Sequence, residues 1–419
     1  MANYLNIGCG ILLRKSAVIK SVISTFLCIL ILMHQYLYGI MYAEGDEFNE
    51  NEPLKEVINI ETDTYSGAEP PKISAGAAVV LDTVSGRILY EKNAHSRRAM
   101  ASTTKIMTAI VAIENGNLDD RVTVSRRAAS IGGSVINLKT GEELTLRELL
   151  YGMLVKSGND AAIAVAEHVG GTVENFVEMM NKKAKELGLK DTAFKNPHGL
   201  DATGHYSTAY ELAKLTQYAL KNPVFSEMAG TQSIHITNRD LYTTNEMLSV
   251  YPGADGVKTG YTGKAGRCLV TSATKDGWRI ISVVLNCPSR SARAQSSKDI
   301  LDYAFSNYKI YNLAQAGEEE RSINVHRGKK NKVPAVIMKD IKIPLTLAEK
   351  EKLKKTIYYK RTVNAPVYKD IEVGEIRFTI DGKLIAKTGL KTGDEVPAKK
   401  YNDYLGEVLN AWYSLIRHD

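Results

Sequence analysis

The sequence contains few of the residues that would make it a disulfide-rich or metal-binding protein. It has four cysteines and eight histidines among 419 residues, and Cys9 and Cys28 lie in the first 43. No Cys/His group has the spacing of a zinc site. If Asp276-Gly277 turns a hairpin, Cys268 and Cys287 are two residues out of register. We therefore expect two buried thiols rather than a disulfide, and neither a metal nor a cofactor.

The chain also lacks a strong charge imbalance. Its formal net charge is +7, and its basic residues are not interleaved with aromatic ones, so we do not expect a nucleic-acid partner. The mild positive charge suits a protein that works near anionic wall polymers or lipid head groups.

The first 43 residues differ in character from the rest of the chain. Three basic residues precede a 13-residue apolar run, Ser21–Met33, and no acidic residue occurs before Glu44. The run is shorter than the roughly 20 residues that a membrane span needs. With the small residue Ala43 at its end, this pattern predicts a secretory signal over 1–43, with an uncleaved N-terminal anchor as the alternative.

Composition and periodicity divide the remaining chain into several parts. Residues 44–72 are acidic and contain three prolines, which predicts a flexible spacer. The other parts are a strand pair at Ala77–Asp82 and Arg87–Lys92, a mostly helical region from 118 to 230, a strand-rich meander over 233–286, a helix at Ser297–Tyr308, and a separate all-β domain over 315–400.

The last stretch, 401–419, predicts an amphipathic helix. Its apolar residues fall on one stripe at helical spacing: Tyr401, Tyr404, Leu405, Val408, Trp412, Leu415 and Ile416. Such a helix can lie in a membrane interface, where Trp and Tyr are favoured, or it can pack on its own β-domain. The residues alone leave both interpretations open.

A possible nucleophile and its base lie at the predicted start of a helix. Ser102-Thr103-Thr104-Lys105 places a hydroxyl and an amine three positions apart, on one helix face. A lysine in this position can take the proton of the serine, provided that it is neutral near pH 7. Because a free lysine has a pKa of about 10.4, this needs burial and a second cation nearby, for which Lys258 is the candidate.

Because Ser-x-x-Lys also occurs at Ser272 and Ser306, the choice of Ser102 depends on two further motifs that come later in the chain. Ser157-Gly158-Asn159 lies 55 residues beyond Ser102, and Lys258-Thr259-Gly260 lies 101 residues beyond Ser157. Ser157 could relay a proton, and Asn159 could hold the substrate backbone. Ser322-Ile323-Asn324 matches the middle element too, but it comes after Lys258, in the wrong order.

Lys-Thr-Gly occurs four times, at Lys139, Lys258, Lys387 and Lys391. The copy at Lys258 leads into a predicted strand edge that can pair with an extended peptide, and Gly260 allows close backbone approach. Lys258 and Thr259 could then hold a terminal carboxylate. The backbone N–H groups of Ser102 and Tyr261 would form the oxyanion site. The other three copies are interpreted as turns.

The chain resembles the low-molecular-weight penicillin-binding proteins, the serine-type D-Ala-D-Ala carboxypeptidases of peptidase family S11. The resemblance covers about residues 73–310 and extends more loosely to the β-domain and the final helix. It rests on the stretches Ala101–Ala109, Lys156–Ala162, Asn196–Leu200 and Asp255–Thr262.

This resemblance implies an α/β fold of the α+β type: a penicillin-binding/β-lactamase-like transpeptidase domain with an antiparallel sheet and a helical subdomain at 73–310, then the all-β domain and the amphipathic helix. It implies removal of the terminal D-Ala from peptidoglycan pentapeptide stems, with penicillin acylating Ser102. It also favours membrane attachment through the final helix, on the extracytoplasmic side, after secretion.

Three rival functions can be weighed against this one. A class A β-lactamase needs a glutamate that activates the deacylating water, and Phe194–Ala202 contains no Glu-x-x-Leu-Asn. A non-catalytic wall-binding protein would lack a motif member, and none is missing. An endopeptidase acting on D-Ala crosslinks stays open. His198 and His205 are interpreted as structural, because the lysine and serine residues account for every proton transfer.

Overall fold

The computed structural model of the chain describes residues 69–416. The predicted signal at 1–43 and most of the predicted spacer at 44–72 lie outside the described residues. The described chain starts with irregular backbone and enters its first strand at Ala77.

Strands and helices alternate in the first part of the described chain, and strands dominate the last part. The strands are β1 (Ala77–Asp82), β2 (Ile88–Lys92), β3 (Arg121–Thr123), β4 (Glu143–Thr145), β5 (Ser233–Ile236), β6 (Arg239–Tyr242), β7 (Ala254–Thr262), β8 (Gly266–Lys275), β9 (Trp278–Cys287), β10 (Lys309–Ala314), β11 (Glu319–His326), β12 (Lys332–Ile337), β13 (Ile341–Leu345), β14 (Lys354–Tyr359), β15 (Thr362–Asn364), β16 (Glu372–Ile380) and β17 (Lys383–Thr392). The helices are α1 (Lys105–Asn115), α2 (Arg126–Ala129), α3 (Leu146–Val155), α4 (Asn159–Gly170), α5 (Val173–Glu186), α6 (Ala209–Ala219), α7 (Pro223–Gly230), α8 (Met247–Val250), α9 (Arg290–Asn307), α10 (Leu347–Lys352) and α11 (Tyr401–Ile416), and a 3-10 turn, Ala101–Thr104, precedes α1.

A five-stranded antiparallel sheet in the order β2-β1-β9-β8-β7 organises the first part of the chain. Successive side chains of a strand point to opposite faces, so both faces of this sheet can be buried. Val79 and Leu81 of β1 join the core formed with the helical subdomain, whereas Ala78 and Val80 join the core beneath α9. The covered sheet leaves β7 as an edge strand beside the 3-10 turn.

The two cysteines of this sheet are free thiols, as the sequence predicts. Asp276 and Gly277 both have positive φ, and they form the two-residue turn between β8 and β9. Arg267 faces Cys287, which leaves Cys268 out of register with it. Burial raises the pKa of Cys268 to about 11 and that of Cys287 to about 12, so both thiols stay protonated at neutral pH.

Two predicted elements need correction. α9 begins at Arg290 rather than at Ser297, because polar side chains in its first half, such as Arg293 and Ser297, are buried and find partners inside the protein. The short pair β3–β4 interrupts the region predicted to be mostly helical. The predicted boundaries of β1, α3 and the meander strands agree with the structure to within a few residues.

A second, smaller β-structure follows α9. Its six-stranded sheet has the order β14-β16-β17-β12-β11-β15, and β10 pairs with β13 beside it. Ile323, Val333, Ile376, Phe378 and Leu390 form part of its core. The interpretation of the Lys387 and Lys391 copies of Lys-Thr-Gly as turns is wrong: both lysines lie in β17, where the alternating pattern buries Thr388 and Thr392.

The first ten residues of α11 are largely exposed, and their apolar side chains face outward. Asp403 pairs with Lys329 at 3.3 Å, and Glu407 pairs with Lys399 at 2.5 Å. The exposed fractions of the apolar side chains are 78% for Tyr401, 41% for Tyr404, 46% for Leu405 and 65% for Val408. Over these residues, the apolar stripe therefore does not pack on the β-structure.

The length and composition of the described helices bear on whether any of them could cross a bilayer. Within residues 69–416, none combines the length and the apolar character that a membrane span needs.

Candidate active site

Ser102 lies in a tight, buried turn at the entry to α1. The preceding Ala101 has a φ of +46°, a value that non-glycine residues adopt at a cost. Two hydroxyls hold the turn: Thr103 Oγ1 donates to the Met100 carbonyl at 2.6 Å, and Thr104 Oγ1 donates to the Ala101 carbonyl at 2.8 Å. The side chain of Ser102 is thereby fixed at the start of the helix, as the sequence predicts.

Lys105 is fully buried, and its amine contacts Ser102. The distance from Lys105 Nζ to Ser102 Oγ is 2.9 Å. The same Nζ lies 2.7 Å from Asn159 Oδ1 and 2.8 Å from the His198 carbonyl oxygen, both of which can only accept hydrogen bonds. Three separate segments of the chain therefore position this amine.

The Ser157-Gly158-Asn159 element forms the turn between α3 and α4. Ser157 is buried and has a φ of +68°, and Asn159 is the first residue of α4. The Asn159 amide accepts from Lys105 and donates through Nδ2 to the Gly132 carbonyl at 2.8 Å. The structure thus brings Asn159 into contact with the Ser102–Lys105 pair, with Ser157 two residues away in the chain.

A loop at 132–138, to which the sequence analysis assigns no role in the site, folds over this turn. The carboxylate of Asp160 accepts from the backbone N–H groups of Ile136 and Leu138 at about 3.0 Å. Ser134 adds two contacts, since its carbonyl accepts from the Asn159 N–H at 2.7 Å and its hydroxyl donates to the Lys156 carbonyl at 2.9 Å. An aspartate in the first turn of a helix after a Ser-Gly-Asn turn is the only sequence signal that could have indicated this loop.

The Lys258-Thr259-Gly260 element lies on the edge strand β7, next to Ser102. Lys258 and Thr259 are both 1% exposed, and Lys258 Nζ donates to the Thr259 carbonyl at 3.1 Å. A Cβ on Gly260 would lie 2.9 Å from the Ser102 backbone nitrogen and 3.0 Å from Ala101 Cβ. Only glycine therefore allows β7 to approach the nucleophile turn this closely.

The neighbouring Tyr261 turns its ring toward Arg267, whose guanidinium carbon lies 4.0 Å from the ring centroid. On the other side of the turn, a Cβ on Gly199 would lie 2.0 Å from the Ala101 carbonyl oxygen. The Ala101–Ser102 backbone is thus enclosed between Gly199 and Gly260. The Asn196–Leu200 stretch contributes this contact as well as the carbonyl that faces Lys105.

The two histidines near the site act through hydrogen bonds to the framework. His205 Nδ1 accepts from the Lys195 N–H at 2.9 Å, so the proton of the neutral ring is on Nε2, which donates to Thr104 Oγ1 at 2.8 Å. Burial lowers the pKa of His205 to about 4. Burial is the main cause that lowers the pKa of His198 to about 3. Both rings are therefore neutral at pH 7.

Side chains that could ligate a metal are not grouped in the part of the chain that the structure describes. Across 69–416, no set of three or more His, Cys, Asp or Glu side chains is arranged to hold a metal ion.

Thr244 connects the end of α3, two residues before the second motif element, with the third motif element, and no motif in the sequence points to it. Its backbone N–H donates to the Val155 carbonyl at 3.1 Å, at the end of α3, and its hydroxyl lies 2.7 Å from Thr259 Oγ1. Two residues later, Glu246 forms a buried ion pair with Arg293 of α9. A threonine between two short elements gives no sequence signal for such a role.

Comparison with known proteins shows which family the chain belongs to. The model of the D-alanyl-D-alanine carboxypeptidase family matches residues 64–289, and that of the penicillin-binding protein 5 C-terminal domain matches 308–398. The chain is 38% identical over 349 residues to the D-alanyl-D-alanine carboxypeptidase DacF of Bacillus subtilis, a match that covers 81% of this chain and 90% of that protein. It is 33% identical to the D-alanyl-D-alanine carboxypeptidase DacA of Escherichia coli K12, and that match covers 82% of this chain and 90% of the other.

Among solved structures, penicillin-binding protein 5 from Haemophilus influenzae superposes with a TM-score of 0.71 at 32% identity, covering 79% of this chain and all of the other. The fold is therefore that of the low-molecular-weight penicillin-binding proteins, and the predicted fold class is confirmed. The chain belongs to the D-alanyl-D-alanine carboxypeptidase family, peptidase S11, a class of serine hydrolases.

Proposed function

We propose that this protein removes the terminal D-alanine from peptidoglycan pentapeptide stems through an acyl-serine intermediate. The observation that carries the proposal is the contact between the buried Lys105 amine and the Ser102 hydroxyl. Ser102 is the nucleophile, Lys105 its base and Ser157 the proton relay. Asn159, Lys258, Thr259, Gly260 and Tyr261 bind the substrate.

The hydrogen-bond partners of Lys105 support its role as a base. A neutral amine has two N–H donors and one lone pair. Asn159 Oδ1 and the His198 carbonyl accept hydrogen bonds from Lys105 Nζ, and the Ser102 hydroxyl lies 2.9 Å from the same nitrogen, close enough to pass its proton to a neutral amine. Burial of the amine favours the neutral form that this step needs.

Acylation then depends on the positions of these groups. Lys105 takes the Ser102 proton while Oγ bonds to the carbonyl carbon of the penultimate D-Ala. The resulting oxyanion accepts hydrogen bonds from the backbone N–H groups of Ser102 and Tyr261. When the peptide C–N bond breaks, the proton passes from Lys105 through Ser157 to the leaving amine of the terminal D-Ala.

Deacylation completes the cycle. Water attacks the acyl-serine ester with Lys105 as the base, the tetrapeptide leaves with a new carboxylate, and the Ser102 hydroxyl is restored. A β-lactam acylates Ser102 by the same first step, but its amine stays tethered to the acyl group, so hydrolysis is slow. Penicillins are therefore expected to inhibit the enzyme.

Substrate recognition uses the edge position of β7. An extended stem peptide can pair with this edge, with Gly260 allowing the close approach. The cation of Lys258 and the hydroxyl of Thr259 are suited to a terminal carboxylate, and the Asn159 amide to the stem backbone.

The direct test is a product analysis on two substrates. Purified protein is incubated separately with uncrosslinked pentapeptide muropeptides and with crosslinked dimers, with the Ser102→Ala variant as the control. We expect tetrapeptide and free D-Ala from the first substrate and none with the variant. Loss of dimers without D-Ala release from pentapeptide would favour the endopeptidase alternative instead.

We further propose that the protein is secreted and held by α11 at the outer face of the cytoplasmic membrane. The division of the chain into a catalytic domain at 73–310, a β-domain at 315–400 and a helix at 401–419 is part of this proposal. The outward apolar stripe of α11 supports it. So does the charge of residues 315–400, where 20 basic residues stand against 12 acidic ones, which favours an anionic surface.

A further inference from the structure

Thr244 and Thr259 form a buried pair of hydroxyls next to the carboxylate-binding end of the site. The two Oγ1 atoms are 2.7 Å apart, and the side chains are 6% and 1% exposed. A hydroxyl has only one proton to donate. At this distance one hydroxyl must donate to the other. The direction of this bond therefore decides whether Thr259 can donate its own proton to a ligand.

The position of Thr244 is fixed on two sides. Its backbone N–H donates to the Val155 carbonyl at 3.1 Å, which ties it to the residue before the Lys156-Ser157 turn. The Glu246 carboxylate accepts from Arg293 Nη2 at 2.6 and 2.7 Å, and both side chains are almost completely buried. The segment that carries Thr244 is therefore anchored to both α3 and α9.

If Thr259 donated to Thr244, it would present only lone pairs to a ligand, and these would repel a carboxylate. If Thr244 donates to Thr259, the proton of Thr259 is free to point into the cleft. A chain of two hydroxyls that ends on a charged acceptor is also strengthened by mutual polarisation. A bound carboxylate therefore selects the second direction.

We infer that Thr244 is a positioning residue for carboxylate recognition: its hydroxyl donates to Thr259 and directs the Thr259 proton toward the terminal carboxylate of the substrate. This inference rests on the proposed function, and it adds a residue outside the three motifs. Enzymes that keep the Lys-Thr-Gly strand but lack a donor at this place are expected to discriminate less strongly for a free carboxylate.

The experiment compares two peptides with each variant. One ends in D-Ala-D-Ala with a free carboxylate, and the other carries a carboxamide in its place. For wild type, Thr244→Val, Thr244→Ser and Thr259→Val, kcat/KM is measured on both peptides, together with the melting temperature. Valine has nearly the shape of threonine without the hydroxyl, and serine restores the hydroxyl.

We expect Thr244→Val to lower kcat/KM about tenfold on the carboxylate peptide, mainly through KM, with a much smaller change on the carboxamide peptide. Thr244→Ser should restore the preference, and adding Thr244→Val to Thr259→Val should have little further effect on it. Equal losses on both peptides, an unchanged preference, or a wild type that treats the peptides alike would overturn the inference. A wild type that releases no D-Ala from either peptide would contradict the proposed function itself.

Discussion

At the scale of single residues, the site depends on close packing around one backbone turn. Ser102 is held between two glycines, the hydroxyls of Thr103 and Thr104 close the turn, and Lys105 reaches back to Ser102 from the first turn of α1. Such pre-organisation is effective because the reacting groups need no rearrangement when substrate binds. It also makes the site sensitive to changes of a single methyl group.

Gly260→Ala tests this sensitivity. The added methyl would be 2.9 Å from the Ser102 nitrogen, so β7 must move away from the turn. We expect the second-order rate constant of penicillin acylation to fall by about tenfold to a hundredfold. The matched control is Gly263→Ala, whose methyl meets nothing within 4 Å and should leave the rate unchanged. Equal rates for the two variants would show that the close approach is not required.

The neutral His205 predicts a pH dependence of stability. Its pKa is about 4 in the folded protein, below the usual 6.5, so the unfolded state takes up the proton first as the pH falls. The stabilisation is fully present above pH 6.5 and is lost between there and about pH 4. We expect His205 alone to lower the free energy of unfolding by about 2 kcal/mol between pH 7 and pH 5. Urea titrations of wild type and His205→Gln would check this, and parallel pH profiles of the two proteins would contradict it.

At the scale of secondary-structure elements, α9 has more than a packing role. It carries Arg293 into the core beneath the sheet, where Arg293 pairs with Glu246 and fixes the segment that ends in α8. The sequence does not reveal this ion pair, because no local pattern distinguishes a buried arginine from an exposed one.

Removal of one partner of the Glu246–Arg293 ion pair should therefore lower the free energy of unfolding. Glu246→Ala leaves the Arg293 cation buried without its carboxylate, and we expect a loss of about 3 to 5 kcal/mol in the free energy of unfolding. The exposed pair Arg97–Asp191 serves as the comparison, because Asp191→Ala should cost at most about 1 kcal/mol. Similar costs for both variants in denaturant titrations would mean that the buried pair does not anchor the segment.

The elements that the sequence predicted well have a regular apolar period and clear turn residues. β1, α3 and the hairpin at Asp276-Gly277 are of this kind. The sequence does not predict the first half of α9, because the buried side of that half is polar. The prediction of a turn at the Lys387 copy of Lys-Thr-Gly is wrong, because a short stretch of small and polar residues can form either a turn or part of a strand. The motifs predict Ser102, Lys105, Ser157, Asn159 and Lys258 as site residues. The positions that hold them, Thr244 and Asp160, depend on contacts between distant segments, which no local pattern encodes.

At the scale of the whole molecule, the chain combines the buried contact between Ser102 and Lys105 with a helix whose apolar side is left uncovered over its first ten residues. Asp403 pairs with Lys329, Glu407 pairs with Lys399 just before the helix, and the apolar side of α11 is exposed. A helix that was only structural would bury this side instead. The arrangement suits an enzyme that acts on wall precursors while it rests on an anionic membrane.

Leu405→Glu combined with Val408→Glu tests this arrangement. Two carboxylates on the apolar stripe should abolish co-sedimentation with vesicles that contain anionic lipid, because their transfer into the interface is unfavourable. D-Ala release from a soluble peptide should not change. Leu384→Glu, on an exposed apolar residue of β17, is the control and should retain vesicle binding. Vesicle binding by the double variant would refute attachment through this stripe.

The central claim is that the buried Lys105 amine activates Ser102, and intact-mass analysis with penicillin tests it most directly. Wild type, Ser102→Ala and Lys105→Ala are each treated with a labelled penicillin, and the label is located by peptide mapping. We predict one adduct per wild-type chain, located on Ser102, no adduct on Ser102→Ala, and only slow, partial labelling of Lys105→Ala. Labelling of Ser102→Ala at another residue, or labelling of Lys105→Ala at the wild-type rate, would contradict the claim.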